Sequence, residues 1–397
     1  MVSTGWVNPL VLKWARQRLG LSPEDVEGLS KKLGKFYTPI TAEELRNWEQ
    51  GISEPELEHL ETLAEIYVCP VGYFFFAECP QESLPLNLRG LSPEKKSKLS
   101  PLSQRTLRKF LELVEWTVSL IEEIGIDWGV EIQPGVYSED MDVDILVQQE
   151  RERIGFSPEV RNKWTDIDEA FLWWRRRIEE LGVFCFQMKL ELGDIRGAST
   201  WLAGYPFILV NHQDVEAATG RIFTLLHEYA HLITVSEGIV CDFRGSQLGQ
   251  SSESFANRFA ARMLLSHDEL MERLRELGED RYRTTRSDQV LDEIRQPFFV
   301  SRDVIAIMLQ EMRLAPPDFY QKKREQWDRR KMWGKGGRKH LKKRERKLRE
   351  IGFSLAKILS IPGKEGSIPL TELSYILDMK VEKVGEFLTW VRDEVRS

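Results

Sequence analysis

Two histidines and a glutamate lie at metal-binding spacing in the middle of the chain, in the stretch His227-Glu228-Tyr229-Ala230-His231. The surrounding residues 221–233 are mostly apolar at helical spacing and contain neither Gly nor Pro, which predicts an α-helix. Residues four positions apart share one face of a helix, so His227 and His231 could bind one cation. Neutral imidazole favours zinc, and Glu228 could take a proton from a metal-bound water. The alternative is a buried helix in which both histidines only hydrogen-bond to nearby carbonyls.

A third ligand is expected downstream, because a catalytic zinc usually has three protein ligands and one water. In the H-E-x-x-H-x-x-G-x-x-H pattern a Gly and a third His would follow. Those positions hold Thr234 and Glu237 here, so the pattern fails. The remaining candidate ligands are Glu237, Asp242, Glu253 and His267.

Glu253 opens a second helical run, residues 253–265, whose apolar residues are spaced to pack beside the first helix. A glutamate on that second helix would complete a site of two histidines and one glutamate, as in known zinc peptidases. The alternative for Glu253 is a solvated residue in the first turn of the helix, where the helix dipole favours an acidic side chain.

Together, these two runs resemble the ImmA/IrrE family of metallopeptidases. The resemblance rests on T-G-R-I-F-T-L-L-H-E-Y-A-H-L (219–232) and on E-x-x-A-N-R-F-A-A-x-x-L-L (253–265), and extends to Ile195-Arg196-Gly197, 206–211 and Phe299-Val300-Ser301. The usual Met-Pro ending of the second run is replaced by Leu265-Ser266, outside the ligands. The resemblance implies a Zn2+ cofactor, with Glu228 as the general base and with these metal ligands: His227, His231 and Glu253.

The function implied by the resemblance is zinc-dependent endopeptidase activity on a protein substrate. The expected substrate is a transcriptional repressor that is cleaved at one site in a stress, phage or mobile-element response. Two alternatives remain. One is a DNA-binding regulator whose peptidase fold serves as a sensor or partner-binding body, and the other is a toxin–antitoxin component. Zinc content would separate the first alternative from an enzyme, and an adjacent repressor gene would identify the cleaved partner.

The bulk composition predicts a cytoplasmic protein with no membrane partner. The 397 residues, of which 42% are hydrophobic, can form two or three domains. No run of 18 apolar residues is present, and the first residues lack the form of a signal peptide. The four cysteines are scattered without a C-x-x-C pair, so we expect reduced thiols rather than disulfides or a zinc finger. The sequence does not indicate an oligomeric state.

Residues 8–76 resemble an XRE-type helix-turn-helix module, with four short helices and Trp48-Glu49-Gln50-Gly51 before Pro55. The resemblance implies that the third helix enters the major groove, where Arg46 could contact guanine and Asn47 shares the presumed contact face. Residues 1–80, however, carry seven Lys or Arg against twelve Asp or Glu. DNA binding normally rests on basic contacts to phosphates, so a structural or protein-docking role is the alternative.

The predicted fold class is α+β and mainly helical. A linker over 77–105 precedes a zincin-like peptidase domain over 106–315 that contains a small sheet. Helices are predicted over 107–124, 143–154 and 167–181, and strands over 183–188 and 206–211. The strand at 206–211 could pair with an extended substrate by edge addition, or be an ordinary member of the sheet.

Residues 316–397 are predicted to be a basic, helical C-terminal extension. The segment 321–350 holds fifteen Lys or Arg against four acidic residues. One hypothesis is an arm that binds the phosphates of DNA. Its candidate contacts are Lys335, Arg338, Lys339, Lys342 and Lys343. The alternative is a solvated helical hairpin, because runs of like charge are often only exposed surface.

Overall fold

A computed structural model describes most of the chain. The described residues are 6–33, 37–67, 69, 71–79, 99–137, 141–191, 194–212, 217–234, 250–330, 341–361 and 368–396. They fall into two compact units, one with the described residues up to Lys109 and one with those from Phe110 onward. The prediction of a mainly helical fold with a small sheet is confirmed. Within the described ranges, every helix is too short or too polar to cross a bilayer.

The first unit is a bundle of short helices. Its elements are α1 (Pro9–Arg18), α2 (Pro23–Ser30), α3 (Ala42–Glu49), α4 (Leu57–Tyr67) and a 3-10 helix (Val71–Phe75). Ser22 and Thr41 begin α2 and α3 with reciprocal capping boxes, in which a side chain three residues later bonds back to the cap. Apolar side chains from all four helices form a common core. The assignment of this bundle to the XRE type stays a prediction.

The second unit places a three-stranded sheet among helices. The long helix α5 (Pro101–Ile124) comes first in the chain. It is followed by three helices and then by the three strands of the sheet: α6 (Val143–Ile154), α7 (Pro158–Arg161), α8 (Ile167–Glu180), β1 (Phe184–Met188), β2 (Gly197–Leu202) and β3 (Tyr205–Asn211). After the sheet come α9 (Ala217–Thr234), α10 (Gln250–Leu264), α11 (His267–Glu276), α12 (Asp288–Arg295), α13 (Arg302–Glu311), α14 (Phe319–Arg330), α15 (Lys343–Leu359), α16 (Leu370–Ile376) and α17 (Val381–Arg396).

The strand order is β1-β3-β2, which puts β3 in the centre of the sheet. β3 pairs in parallel with β1 and antiparallel with β2. The hypothesis that residues 206–211 pair with a substrate by edge addition is therefore wrong, since both sides of β3 are occupied by strands. The strand β2 was not predicted, because its residues Gly197-Ala198-Ser199-Thr200 are small or polar. A two-residue turn with positive φ at Ala203 (50°) and Gly204 (83°) joins it to β3.

The helix α15 packs against the outer edge of β1. The carbonyl oxygens of Val183 and Cys185 point away from β3 and accept hydrogen bonds from side chains instead of from another strand. Ser354 Oγ donates to Val183 O at 2.9 Å, and the guanidinium of Arg175 in α8 donates to Cys185 O. Side chains from two helices thus donate hydrogen bonds to two carbonyl groups at the edge of β1, which would otherwise be unpaired.

A glycine allows α15 to approach the sheet this closely. Gly352 has φ +84° and interrupts the helical backbone of α15. A Cβ at this position would overlap the carboxylate of Glu179 and lie 2.5 Å from Cys185 O. The same carboxylate accepts a hydrogen bond from Phe353 N at 3.0 Å. Only glycine combines this backbone conformation with this packing.

The helix α9 lies at the centre of the second unit. It packs against β2, β3, α8 and α10, and its described side chains are buried on nearly every face. A helix that is apolar all round is typical of the interior of a domain. The polar side chains that α9 carries are therefore held in a buried environment.

Candidate metal centre

Two neighbouring helices supply the candidate ligands. His227 and His231 lie one turn apart on α9, and Glu253 lies in the first turn of α10. Apolar residues on both helices, including Tyr229 and Phe259, form the contact between them. The packing of these faces turns the two imidazoles and the carboxylate toward one point.

The three groups lie at distances that suit a single cation. His227 Nε2 is 3.3 Å from Glu253 Oε2, His231 Nε2 is 3.7 Å from Glu253 Oε1, and the two Nε2 atoms are 3.1 Å apart. One ligand atom from each residue lies within 4.8 Å of the others. Zinc binds such atoms at about 2.0–2.2 Å, which separates tetrahedral ligands by about 3.3 Å. The donor set therefore fits zinc in both chemistry and spacing.

Burial keeps the His231 imidazole in the form that binds a metal. The side chain of His227 is fully buried, and His231 and Glu253 are 2% and 9% exposed. Burial, reinforced by the neighbouring His227 and opposed by Glu253, lowers the pKa of His231 to about 3. Its imidazole is therefore neutral at physiological pH, with a nitrogen lone pair available to a cation.

Glu228 is oriented by the edge strand β2. Ser199 Oγ donates a hydrogen bond to Glu228 Oε2 at 2.8 Å, and both residues are buried. A Cβ on Gly197 would lie 2.6 Å from Thr224 Cγ2 and 2.9 Å from Glu228 Oε1, so glycine is required for β2 to approach α9. Trp201 Nε1 also donates to Leu232 O at 3.0 Å. The strand β2 is therefore fixed to α9, and it also orients Glu228, the candidate general base.

Ser199 was not predicted as a site residue. Its partner Glu228 is 29 positions away in the sequence, and a single serine carries no spacing signal. Gly197 had a weaker signal as part of the Ile195-Arg196-Gly197 motif that contributes to the family resemblance. The physical reason for glycine in this motif is the close packing of β2 against α9, which only the folded structure shows.

His267, a further candidate ligand, is not part of the cluster. His267 begins α11, and its Nε2 lies 3.8 Å from Glu311 rather than near the two histidines of α9. Glu237 and Asp242 lie outside the described residues. Among the described residues, Glu253 is the acidic side chain that completes the His227 and His231 pair.

The predicted nucleic-acid contacts are distributed over both units. The guanidinium of Arg46 on α3 pairs with the carboxylate of Glu24, and Asn47 beside it is half-buried. Lys342 and Lys343 are exposed at the start of α15. The remaining candidates lie outside the described residues: Lys335, Arg338 and Lys339. Contact of these groups with nucleic acid stays a prediction.

Residues 178–310 match the Peptidase_M78 family model, described as the IrrE N-terminal-like domain. The matched range contains the whole sheet, α9 and α10, and therefore every candidate metal ligand and Glu228. The match supports a metallopeptidase domain of the ImmA/IrrE type in this part of the chain. The first unit and α6 lie outside the matched range. No curated protein and no solved structure gave a significant match.

Proposed function

We propose that this protein is a zinc-dependent endopeptidase. The observation that carries the proposal is the convergence of His227, His231 and Glu253 in the interior of the matched domain, with Glu228 on the same helix. Two imidazoles and one carboxylate are the donor set of one major class of catalytic zinc sites. The ImmA/IrrE-type match over the same residues supports the same conclusion.

Different residues of the chain would bind the metal, transfer the proton and orient the general base during peptide hydrolysis. His227, His231 and Glu253 would hold Zn2+, which supplies Lewis acidity toward a peptide carbonyl and toward water when bound. Glu228 would take the proton of the attacking water and deliver it to the leaving amine. The Ser199 hydroxyl, 2.8 Å from Glu228 Oε2, fixes the orientation of that carboxylate before reaction.

The substrate would bind in an extended form along β2. This strand pairs with β3 on one side and carries Ser199, which contacts Glu228. The opposite edge of the sheet, on β1, is closed by Arg175 and Ser354. Addition of a substrate strand to β2 would supply backbone hydrogen bonds next to the catalytic glutamate. An extended chain can reach buried groups that a folded surface cannot.

The family resemblance leads us to propose a transcriptional repressor as the substrate, cleaved at one site in a stress, phage or mobile-element response. The decisive experiment is incubation of the purified, zinc-loaded chain with any repressor that is found to be encoded beside its gene. We expect two fragments by intact mass spectrometry, and no fragments when a chelator is present. Intact repressor in both samples, with zinc bound to the chain, would rule out this substrate.

A further inference from the structure

We propose that α6, which precedes the matched range, acts as a brace that sets the relative position of α9 and α10. The adjacent residues Glu150 and Arg151 carry this role as positioning residues, one for each ligand-bearing helix. The inference rests on the proposed function, because it assigns to α6 the geometry of the metal ligands. It concerns residues 143–154, whereas the matched range begins at residue 178.

Glu150 anchors α9 through Tyr229. The carboxylate of Glu150 accepts a hydrogen bond from Tyr229 Oη at 2.6 Å, and both side chains are fully buried. Tyr229 is two residues from His227 and two from His231, which corresponds to about 200° around the helix. Its side chain therefore leaves α9 on the face opposite the two imidazoles, and its ring packs against Phe259 of α10. A fixed hydroxyl on that face prevents rotation of α9, and rotation would turn both imidazoles away from Glu253.

The Glu150 carboxylate is itself held by further donors. Tyr137 Oη donates to Glu150 Oε1 at 3.2 Å, and Arg153 Nε lies 3.2 Å from the same oxygen. The backbone N–H of Tyr137 also donates to Ile233 O in the last turn of α9 at 3.2 Å. A buried carboxylate with a cation and two hydroxyl donors is a charge-assisted network of defined geometry. The network contacts α9 at two points, Tyr229 and Ile233.

Arg151 anchors the second helix. Its Nε donates to Met263 O at 3.1 Å, and its Nη2 donates to Arg262 O at 2.7 Å. These carbonyls belong to the last turn of α10, where backbone acceptors have no partner within the helix. A guanidinium on two of them fixes the axial position of α10, and Glu253 lies in the first turn of that helix. Neighbouring residues of α6 therefore hold both ligand-bearing helices.

The experiment compares zinc affinity in three single variants, one double variant and two controls, using chelator competition on the full chain. Glu150→Gln removes the charge of the anchor, and Tyr229→Phe removes only one hydroxyl. Each should weaken zinc binding about 10- to 100-fold, the range typical of residues that orient metal ligands. The double variant should bind zinc no more weakly than the weaker-binding single variant, since both changes act on the hydrogen bond between Tyr229 and Glu150. Arg151→Gln should also weaken binding.

The controls change the same chemical groups at exposed positions. Glu152→Gln alters a carboxylate on the solvent face of α6, and Tyr282→Phe removes an exposed hydroxyl. Both should bind zinc like the unmodified chain. Urea unfolding of the metal-free forms measures the stability of each variant separately from its zinc affinity. A residue with a purely structural role would lower this stability and leave the zinc affinity unchanged. Should Glu150→Gln fail to fold, Tyr229→Phe makes the same test with a smaller change.

The outcomes distinguish this inference from the proposed function. Absence of zinc from the unmodified chain would contradict the proposed function and the brace together. Zinc bound by the unmodified chain and equally tightly by folded Glu150→Gln and Tyr229→Phe would contradict only the brace. Weakened zinc affinity in both variants, with Glu152→Gln unaffected, would establish Glu150 as a positioning residue for the ligands.

Discussion

The candidate metal centre and the predicted nucleic-acid contacts differ in how their residues are held. At the metal centre, His227, His231 and Glu253 are buried, and their donor atoms lie within 4.8 Å of one another. Among the nucleic-acid candidates, Lys342 and Lys343 are exposed, and Arg46 is paired with Glu24. The positions of a few buried atoms decide what a metal site can do. Recognition of a polyanion depends instead on the sum of charge over a surface.

This difference explains why the metal-site prediction has stronger structural support than the prediction of nucleic-acid contacts. The histidine spacing and the helical context of Glu253 implied a convergence that the fold brings about. The Arg46 prediction rested on the position of one side chain in a helix-turn-helix pattern. Its acidic neighbour Glu24, 22 positions earlier, competes directly for the same guanidinium. A charged surface residue therefore gives a weaker functional signal than a buried one with defined partners.

The largest expected effect is the loss of cleavage in Glu228→Gln. The amide keeps the size of the side chain but is not a base, and loss of a general base typically lowers a rate by about 10²–10⁴. Zinc content, measured by elemental analysis, should stay at that of the unmodified chain. A zinc-loaded Glu228→Gln chain that cleaves at the unmodified rate would show that another group takes the proton.

Glu253→Ala should lower zinc affinity by more than the roughly 10–100-fold expected for a residue that only orients a ligand. Its carboxylate is 3.3 Å from His227 Nε2 and would bind the metal directly. His267→Ala is the matched control, since this side chain lies against Glu311 and outside the cluster. Chelator competition on both variants gives the comparison, and Glu237→Ala tests the candidate outside the described residues. A larger loss in either control than in Glu253→Ala would reassign the third ligand.

Gly352→Ala should destabilise the second unit by on the order of 2–5 kcal/mol, the sum of backbone strain at φ +84° and overpacking. The added methyl would collide with Glu179 and the Cys185 carbonyl. Gly385→Ala in α17 is the control, because it meets no atom within 4 Å and has no positive φ. It should stabilise its helix by about 0.5–1 kcal/mol. Urea unfolding of both variants makes the measurement, and equal stabilities would mean that α15 does not dock on β1.

The buried Glu179 should make stability fall as pH rises from the acidic to the neutral range. Burial raises the pKa of Glu179 from 4.5 to about 7, with Arg175 and the backbone N–H of Phe353 opposing the shift. Between these values the folded chain binds a proton that the unfolded chain does not, so stability decreases from about pH 4.5 to about pH 7. The change is at most roughly 3 kcal/mol. Glu179→Gln should flatten the urea-unfolding profile over this range, and an unchanged slope would assign the effect to other groups.

The smallest expected effect is on binding to duplex DNA. If Lys342 and Lys343 neutralise phosphates, replacing both by Ala should reduce the salt dependence of binding by roughly 0.9 for each phosphate that is no longer neutralised. Arg46→Ala should change neither affinity nor salt dependence, because Glu24 already pairs with this side chain. Point variants suit this test better than truncation, since Ser354 and Phe353 pack α15 onto the second unit. A larger effect at Arg46 would show that α3 contacts DNA despite its acidic neighbour.

The sequence by itself predicted the local elements of the site. The predicted helices over 143–154 and 167–181 correspond closely to α6 and α8, because apolar residues repeat at helical spacing and Gly155 and Gly182 follow the last turns. Four-residue spacing placed His227 and His231 on one face of α9, and this needs only the geometry of a helix. Such features depend on neighbours within one or two turns, which a sequence displays directly.

Only the tertiary structure decided which distant groups meet. Ser199 reaches Glu228 because β2 packs against α9, and Glu150 reaches Tyr229 across 79 positions. An acidic residue within the apolar stripe of α6 was the one sequence signal for that second contact. The central position of β3 also could not be predicted, because strand order depends on pairing rather than on the composition of one strand. Long-range pairing is a property of the packed chain, so hydrophobic periodicity carries no information about it.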